Sequence, residues 1–218
     1  MPRRCLATAA MEQIYPYHEP RSISAHRRRI LRRASGGVLD LSSRWVANRD
    51  LYLAGAVDSL TVLGFPGRAG VPRGSVEGHA PMPTEILGGT LDTAEPPSGA
   101  FDTVVSTLAL CTAADLDFTL SAVAGWLRPG GRLLVLEHVL GSGFTGLAQR
   151  LVGPVGGAAS TACRIDNDLA AALRRAGFEL IDAARFTAWL AAGVPIPCLA
   201  GVARLHRAPP LPNTPGAP

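Results

Sequence analysis

His138 closes an apolar run, Arg132-Leu133-Leu134-Val135-Leu136-Glu137-His138. An imidazole titrates near neutrality, so at the end of a strand it could take a proton from a substrate hydroxyl or thiol as a general base. The plainer role for such a residue is a hydrogen bond that finishes the strand. Four cysteines, at 5, 111, 163 and 198, lie far apart without a CxxC or Cys/His grouping. Neither a zinc site nor a disulfide framework is indicated, and free thiols in a reducing cytoplasm are expected. Gly141-Ser142-Gly143 is superficially like a hydrolase elbow, but it lacks the strand-to-helix setting that exposes such a serine and reads as a linker.

The elements that would hold these groups alternate along the chain. Ser22 or Ser24 can cap a helix running to Ala34, ended by Gly36-Gly37. Val38–Leu41 is a short apolar strand, Trp45–Val57 a helix and Leu60–Leu63 a second strand. From Gly64 to Pro83 glycine and proline accumulate. A helix there is disfavoured, since each internal glycine costs about 1 kcal/mol and each proline about 3. Glu85–Gly88 is a third strand, Phe101–Leu108 a buried fourth, and Ala114–Leu127 a helix stopped by Pro129-Gly130-Gly131. Arg132–His138 is the fifth strand, and Asp166-Asn167-Asp168 caps a helix through Ala176. Phe178–Ala183 and Leu199–Leu205 can pair as a long-loop hairpin. The order predicts a three-layer α/β sandwich around a mostly parallel seven-stranded sheet, its last strand antiparallel. Gly153–Ala162, small and apolar, is either a loosely packed connection or the lining or lid of a substrate pocket.

In such a sheet a ligand sits at the carboxyl ends of the strands, near the point where strand order reverses. The loops after Leu41, Leu63 and Leu87 are therefore the ones that matter, with Ser106 at the carboxyl end of the fourth strand beside the same cleft.

The βαβ unit formed by Phe101-Asp102, Ser106-Thr107-Leu108, Leu127-Arg128-Pro129-Gly130-Gly131 and Glu137-His138-Val139 resembles the second half of a class I S-adenosylmethionine-dependent methyltransferase of type 11. The resemblance extends from about His26 to Leu205 and is poorest over 42–100. It implies a Rossmann-like methyltransferase fold, S-adenosylmethionine as cofactor and a small-molecule substrate, with cofactor-binding positions at Asp40, Ser42, Arg44, Gly64, Thr90 and Ser106. Several of these depart from the family's pattern. The Gly-x-Gly-x-Gly turn after the first strand, where the backbone approaches the cofactor closely, is here Ser42-Ser43-Arg44-Trp45-Val46. Valine strongly disfavours positive φ, and Arg44 projects a long side chain into or beside the cleft. Its charge could instead salt-bridge a cofactor carboxylate, a rescued site. The second strand runs into Gly64 where the family keeps a ribose-binding acid. The acid facing the adenine amino group aligns with Thr90, two residues short of Asp92. A methyltransferase with an unusual cofactor site is expected. The alternatives are a non-catalytic binding or scaffold protein and an enzyme that reuses the cleft without the cofactor.

Composition fits this picture. The chain has 218 residues, 47% hydrophobic and 17% charged, which suits one α/β domain and not a disordered chain. All 21 basic residues are arginine. Eight of them fall in residues 1–33 against two acids, so the basic character belongs to the N-terminal arm. The 26–33 segment could touch an anionic membrane surface weakly, or form a solvated helix face with Ile23, Ile30 and Leu31 packed beneath. No aromatic interleaving supports nucleic-acid binding. Residues 1–20 read as a disordered leader, with Met11 as an alternative start, 21–205 as the domain, and 206–218, with five prolines, as a disordered tail. Thr187–Ala203 is uncharged, but Gly193, Pro195 and Pro197 break it below a comfortable span, and a cytoplasmic protein is expected.

Overall fold

Seven apolar runs become seven strands of one sheet in a computed structural model that describes residues 19–42, 46–64, 82–143, 146, 147, 149, 163, 164, 166–189 and 195–206. The leader to residue 18, the Gly/Pro stretch 65–81, the 151–162 segment and the tail beyond 206 lie outside the described residues. Helix α1 (Arg21–Leu31) leads into β1 (Gly36–Asp40), a single turn α2 (Val46–Arg49), β2 (Val57–Gly64), β3 (Thr84–Gly88) and β4 (Phe101–Thr107). A 3-10 turn (Leu110–Thr112) precedes α3 (Leu116–Trp126), β5 (Leu127–His138), α4 (Leu169–Arg175), β6 (Phe178–Trp189) and β7 (Pro195–Leu205).

The strand order is β3-β2-β1-β4-β5-β7-β6. β1 lies parallel between β2 and β4, and β5 is parallel to β4. β7 enters antiparallel between β5 and β6. The order therefore reverses between β1 and β4, the place where an open α/β sheet leaves a crevice at its carboxyl edge.

Alternation along the central strands sends side chains to both faces, and both are covered. Leu39, Leu133 and Val135 pack with Leu120, Val123 and Trp126 of α3 and Leu169 and Leu173 of α4. Val38, Leu134 and Leu136 pack with Ile23, Ile30 and Leu31 of α1. The expected three-layer sandwich is thus present. Within the basic segment Arg27 is buried and Arg29 and Arg33 pair with Asp182 of β6, while Arg28, Arg29 and Arg32 are exposed. Among the described residues no helix is long and apolar enough to cross a membrane.

Several elements differ from expectation. The helix read over Trp45–Val57 is only the turn Val46–Arg49. Asn48 and Tyr52 turn inward to bond Asp40, and Gly55, at φ +81°, redirects the chain into β2. β5 begins at Leu127 rather than Arg132, because Leu127 already pairs with Phe101 and the Pro-Gly-Gly segment, with Gly130 at φ +79°, is carried inside the strand. β6 and β7 are also longer than their apolar cores suggest.

Candidate functional site

Two buried polar networks meet at the carboxyl ends of β1, β4 and β5, and the pleat of β4 separates them. Thr107 points to the α1 face and Ser106 to the opposite one, as successive strand residues must.

On the α1 face the anchor is Asp40, fully buried at the end of β1. Its carboxylate accepts the Ser42 backbone N–H at 2.9 Å, the Asn48 amide at 2.8 Å and the Tyr52 hydroxyl at 2.8 Å. Burial pushes this carboxyl above the usual aspartate range, and the donors around it pull it back only in part. The Ser42 hydroxyl ties β1 to β4 by accepting from the Thr107 N–H at 3.0 Å and lying 2.7 Å from its Oγ1. Arg27, buried in α1, reaches into the same network. Its Nη1 donates to Asn48 Oδ1 at 2.6 Å and to Thr107 Oγ1 at 2.7 Å, while Nε and Nη2 hold Glu19.

Asp40's raised pKa means that the folded protein takes up this proton before the unfolded chain does. Its contribution to stability is fully present below the unfolded value and is lost as pH rises through the folded pKa. The Tyr52 bond opposes that loss by favouring the ionised form. Tyr52→Phe is therefore expected to cost about 1–2 kcal/mol near neutral pH. The deficit should shrink as pH falls through the Asp40 pKa, which urea midpoints across a pH series would record.

On the other face Glu137 is buried near the end of β5. It accepts the Ser106 hydroxyl at 2.6 Å and the backbone N–H groups of Ala109, Leu110 and Cys111, each at 3.1 Å. These are the unpaired donors at the start of the 3-10 turn, which a single carboxylate satisfies. The chain enters that turn through Leu108 at φ 57°, a left-handed conformation unusual for leucine. Glu137 thereby fixes where Cys111 stands.

His138, one residue on, meets two thiols. Its Nδ1 lies 2.9 Å from Cys163 Sγ and 3.9 Å from Cys111 Sγ. Cys111 is buried, Cys163 and His138 half-buried. The Cys163 thiol is drawn down to about 6, chiefly by the Cys111 hydrogen bond and by His138, against the opposing effect of burial. Cys111 is driven the other way, well above the usual thiol range, by its bond to Cys163, burial and the charge of Glu137. For His138, burial acts to lower the pKa, but Cys163 and Glu137 together outweigh it and the net direction is up.

The expectation that the cysteines and histidines form no grouping is thus corrected: Cys111, His138 and Cys163 converge in space. The 27 residues from Cys111 to His138 and the 25 from His138 to Cys163 hide this in the sequence. Of the other expected site residues, Asp40 and Ser42 join one network, Ser106 joins the second, and Gly64 ends β2 without a carboxylate. Thr90 stands apart after β3, its N–H and hydroxyl engaged by Thr93. Arg44 lies outside the described residues. Arg27, Asn48, Tyr52, Thr107 and Glu137 were not expected. Glu137 carried a signal nonetheless, since an acid inside an apolar strand must find donors. A recess of about 600 Å³ lined by Arg33, Asp102, Arg132 and Arg204 opens at the amino ends of the strands, opposite the networks, and plays no part in them.

Residues 73–135 match the family model described as a methyltransferase domain, type 11. No curated protein matches the sequence. Among solved structures, the chain is similar to the 1,6-didemethyltoxoflavin-N1-methyltransferase of Burkholderia thailandensis, solved with S-adenosylhomocysteine. The TM-score is 0.62 at 14% identity, over 95% of this chain and 93% of that one. It is also similar to an S-adenosylmethionine-dependent methyltransferase of Mesorhizobium loti, with TM-score 0.54 at 19% identity, over 83% and 96%. A third similar structure is the [4+2]-cyclase SpnF, with TM-score 0.55 at 15% identity, over 84% and 79%. Strand order and these likenesses give the chain the Rossmann-like fold of class I S-adenosylmethionine-dependent methyltransferases, and its 73–135 segment matches their domain model.

Proposed function

We propose that the protein acts on a small molecule as a methyltransferase-family enzyme whose S-adenosylmethionine site has been reshaped. The observation that carries this reading is the Asp40 network. Three protein donors already occupy the carboxylate that ends β1, and the residue is fully buried. The family match begins only at residue 73, so β1, the turn after it and β2 fall outside it. β2 ends at Gly64, with no acid to accept from ribose hydroxyls. The described residues therefore do not fit the cofactor in the family's usual manner. His138, as a general base, would act through Nε2, because Nδ1 faces Cys163.

Loss of a charged acceptor for buried hydroxyls forfeits about 1.5–3 kcal/mol, or roughly 10- to 150-fold in affinity. Calorimetric titration with S-adenosylhomocysteine is expected to give binding weaker than micromolar by about that factor. Micromolar binding would retain the methyltransferase and remove the reshaped site. No heat at high ligand concentration would favour a cofactor-independent enzyme or a non-catalytic binding protein. The fold itself is shared with a protein described as a [4+2]-cyclase, so it is not confined to methyl transfer.

A further inference from the structure

The three groups gathered at the end of β5 come from separate parts of the chain. Cys111 stands on the 3-10 turn after β4, His138 is the last residue of β5, and Cys163 precedes the cap of α4. Their ligand atoms all lie within 4.8 Å of one another, with His138 Nδ1 at 3.9 Å from one sulfur and 2.9 Å from the other. Around a tetrahedral zinc ion, with metal–sulfur bonds of about 2.3 Å and metal–nitrogen bonds of about 2.0 Å, neighbouring ligand atoms stand roughly 3.5–3.8 Å apart. The Cys111–His138 separation of 3.9 Å needs to close by less than about 0.5 Å. The Cys163–His138 separation needs to open by less than about 1 Å, a rotamer adjustment for a half-buried side chain.

We propose that Cys111, His138 and Cys163 bind one zinc ion. Two sulfurs and one imidazole nitrogen form a donor set suited to a borderline-soft metal and ill suited to magnesium or calcium. Glu137, the nearest carboxylate in sequence, is no competing ligand, because Ser106 and three backbone N–H groups take its oxygens. Its role is support: the bond to the Cys111 N–H fixes the backbone that carries one ligand, the kind of outer contact that metal sites depend on. Three protein ligands leave a fourth tetrahedral position for an exogenous group such as water or a thiol, whose proton the ion would acidify. The cluster sits at the carboxyl edge of the sheet, where this fold places its ligands. None of this requires S-adenosylmethionine to bind, so the zinc site and the reshaped cofactor site are tested separately. Zinc would take His138 out of the general-base role.

The test uses the full chain, reduced with a phosphine, stripped with a chelator and titrated with zinc against a chromophoric competitor. One equivalent is expected to bind with sub-micromolar affinity, and cobalt in its place should give thiolate charge-transfer absorption with tetrahedral intensity. Cys163→Ser and His138→Gln, both at half-buried positions, should each weaken zinc binding about 100-fold or more and abolish the cobalt band. Circular dichroism would verify that they fold. Cys198→Ser should bind zinc as the natural protein does. Failure of the reduced protein to take up zinc stoichiometrically would overturn the site. So would equal uptake by the Cys163 and His138 variants, or a Cys111–Cys163 disulfide found in the zinc-treated protein.

Discussion

Replacing Glu137 with alanine is expected to destabilise the fold by about 4 kcal/mol or more, a large part of the stability of a domain this size. Three backbone N–H groups and the Ser106 hydroxyl would lose their acceptor together, and each buried donor left unsatisfied costs about 1–3 kcal/mol. The total stays below the plain sum because the vacated volume can admit water. Glu137→Gln separates shape from charge. Its carbonyl can still serve Ala109 and Leu110, but its amide would face the Cys111 N–H donor to donor, for a cost of about 2 kcal/mol. Denaturant midpoints would rank the variants, and amide exchange at residues 109–111 should quicken in both. An alanine variant within about 1 kcal/mol of the natural protein would show that the turn does not depend on this carboxylate.

Arg27→Met should cost about 3 kcal/mol. The methionine fills much of the arginine's volume, so the loss isolates the guanidinium's bonds to Asn48 and Thr107 inside the network. Glu19 also pairs with Arg27, but its side chain is 25% exposed, and solvent screening discounts that partnership. Glu19→Gln is accordingly expected to cost less than about 1 kcal/mol. Equal losses for the two variants would locate the energy in the ion pair and not in the buried amide and hydroxyl contacts. Since Asn48 bridges Arg27 to Asp40, the Arg27 and Tyr52 substitutions should also fail to add when combined.

The central strands β1, β4 and β5 were visible in the chain as apolar runs, because burial on both faces demands continuous hydrophobicity. Lengths were less visible: β6 exposes alternate residues, so only its first half looks like a strand. The stretch after β1 misled for a different reason. It was read as a helix, but Asn48 and Tyr52 satisfy Asp40 and the helix stops after one turn, a tertiary demand that propensity does not record. In the site, Asp40, Ser42, Ser106 and His138 were expected, and the structure gives each a defined partner. Ser42 nevertheless has a structural duty that the comparison with a glycine turn concealed. Its hydroxyl joins β1 to Thr107, so glycine there would trade an interstrand bond for backbone freedom. Cys163 carried no signal, since only the folded chain brings it beside His138.

The strand order also dictates when the sheet can close during synthesis. β1 is paired on one side by β2, but its second neighbour, β4, begins only at Phe101, so Val38 and Leu39 present an open edge until then. The same delay recurs with β5, whose outer partner is the final strand, β7, beginning at Pro195. Nascent chains that stop short of that strand carry Leu133 to Leu136 on an uncovered hydrophobic edge, the kind of surface that recruits other chains. The last eleven residues of the sheet, Pro195–Leu205, are therefore its seal, and the sheet closes only once they have been made.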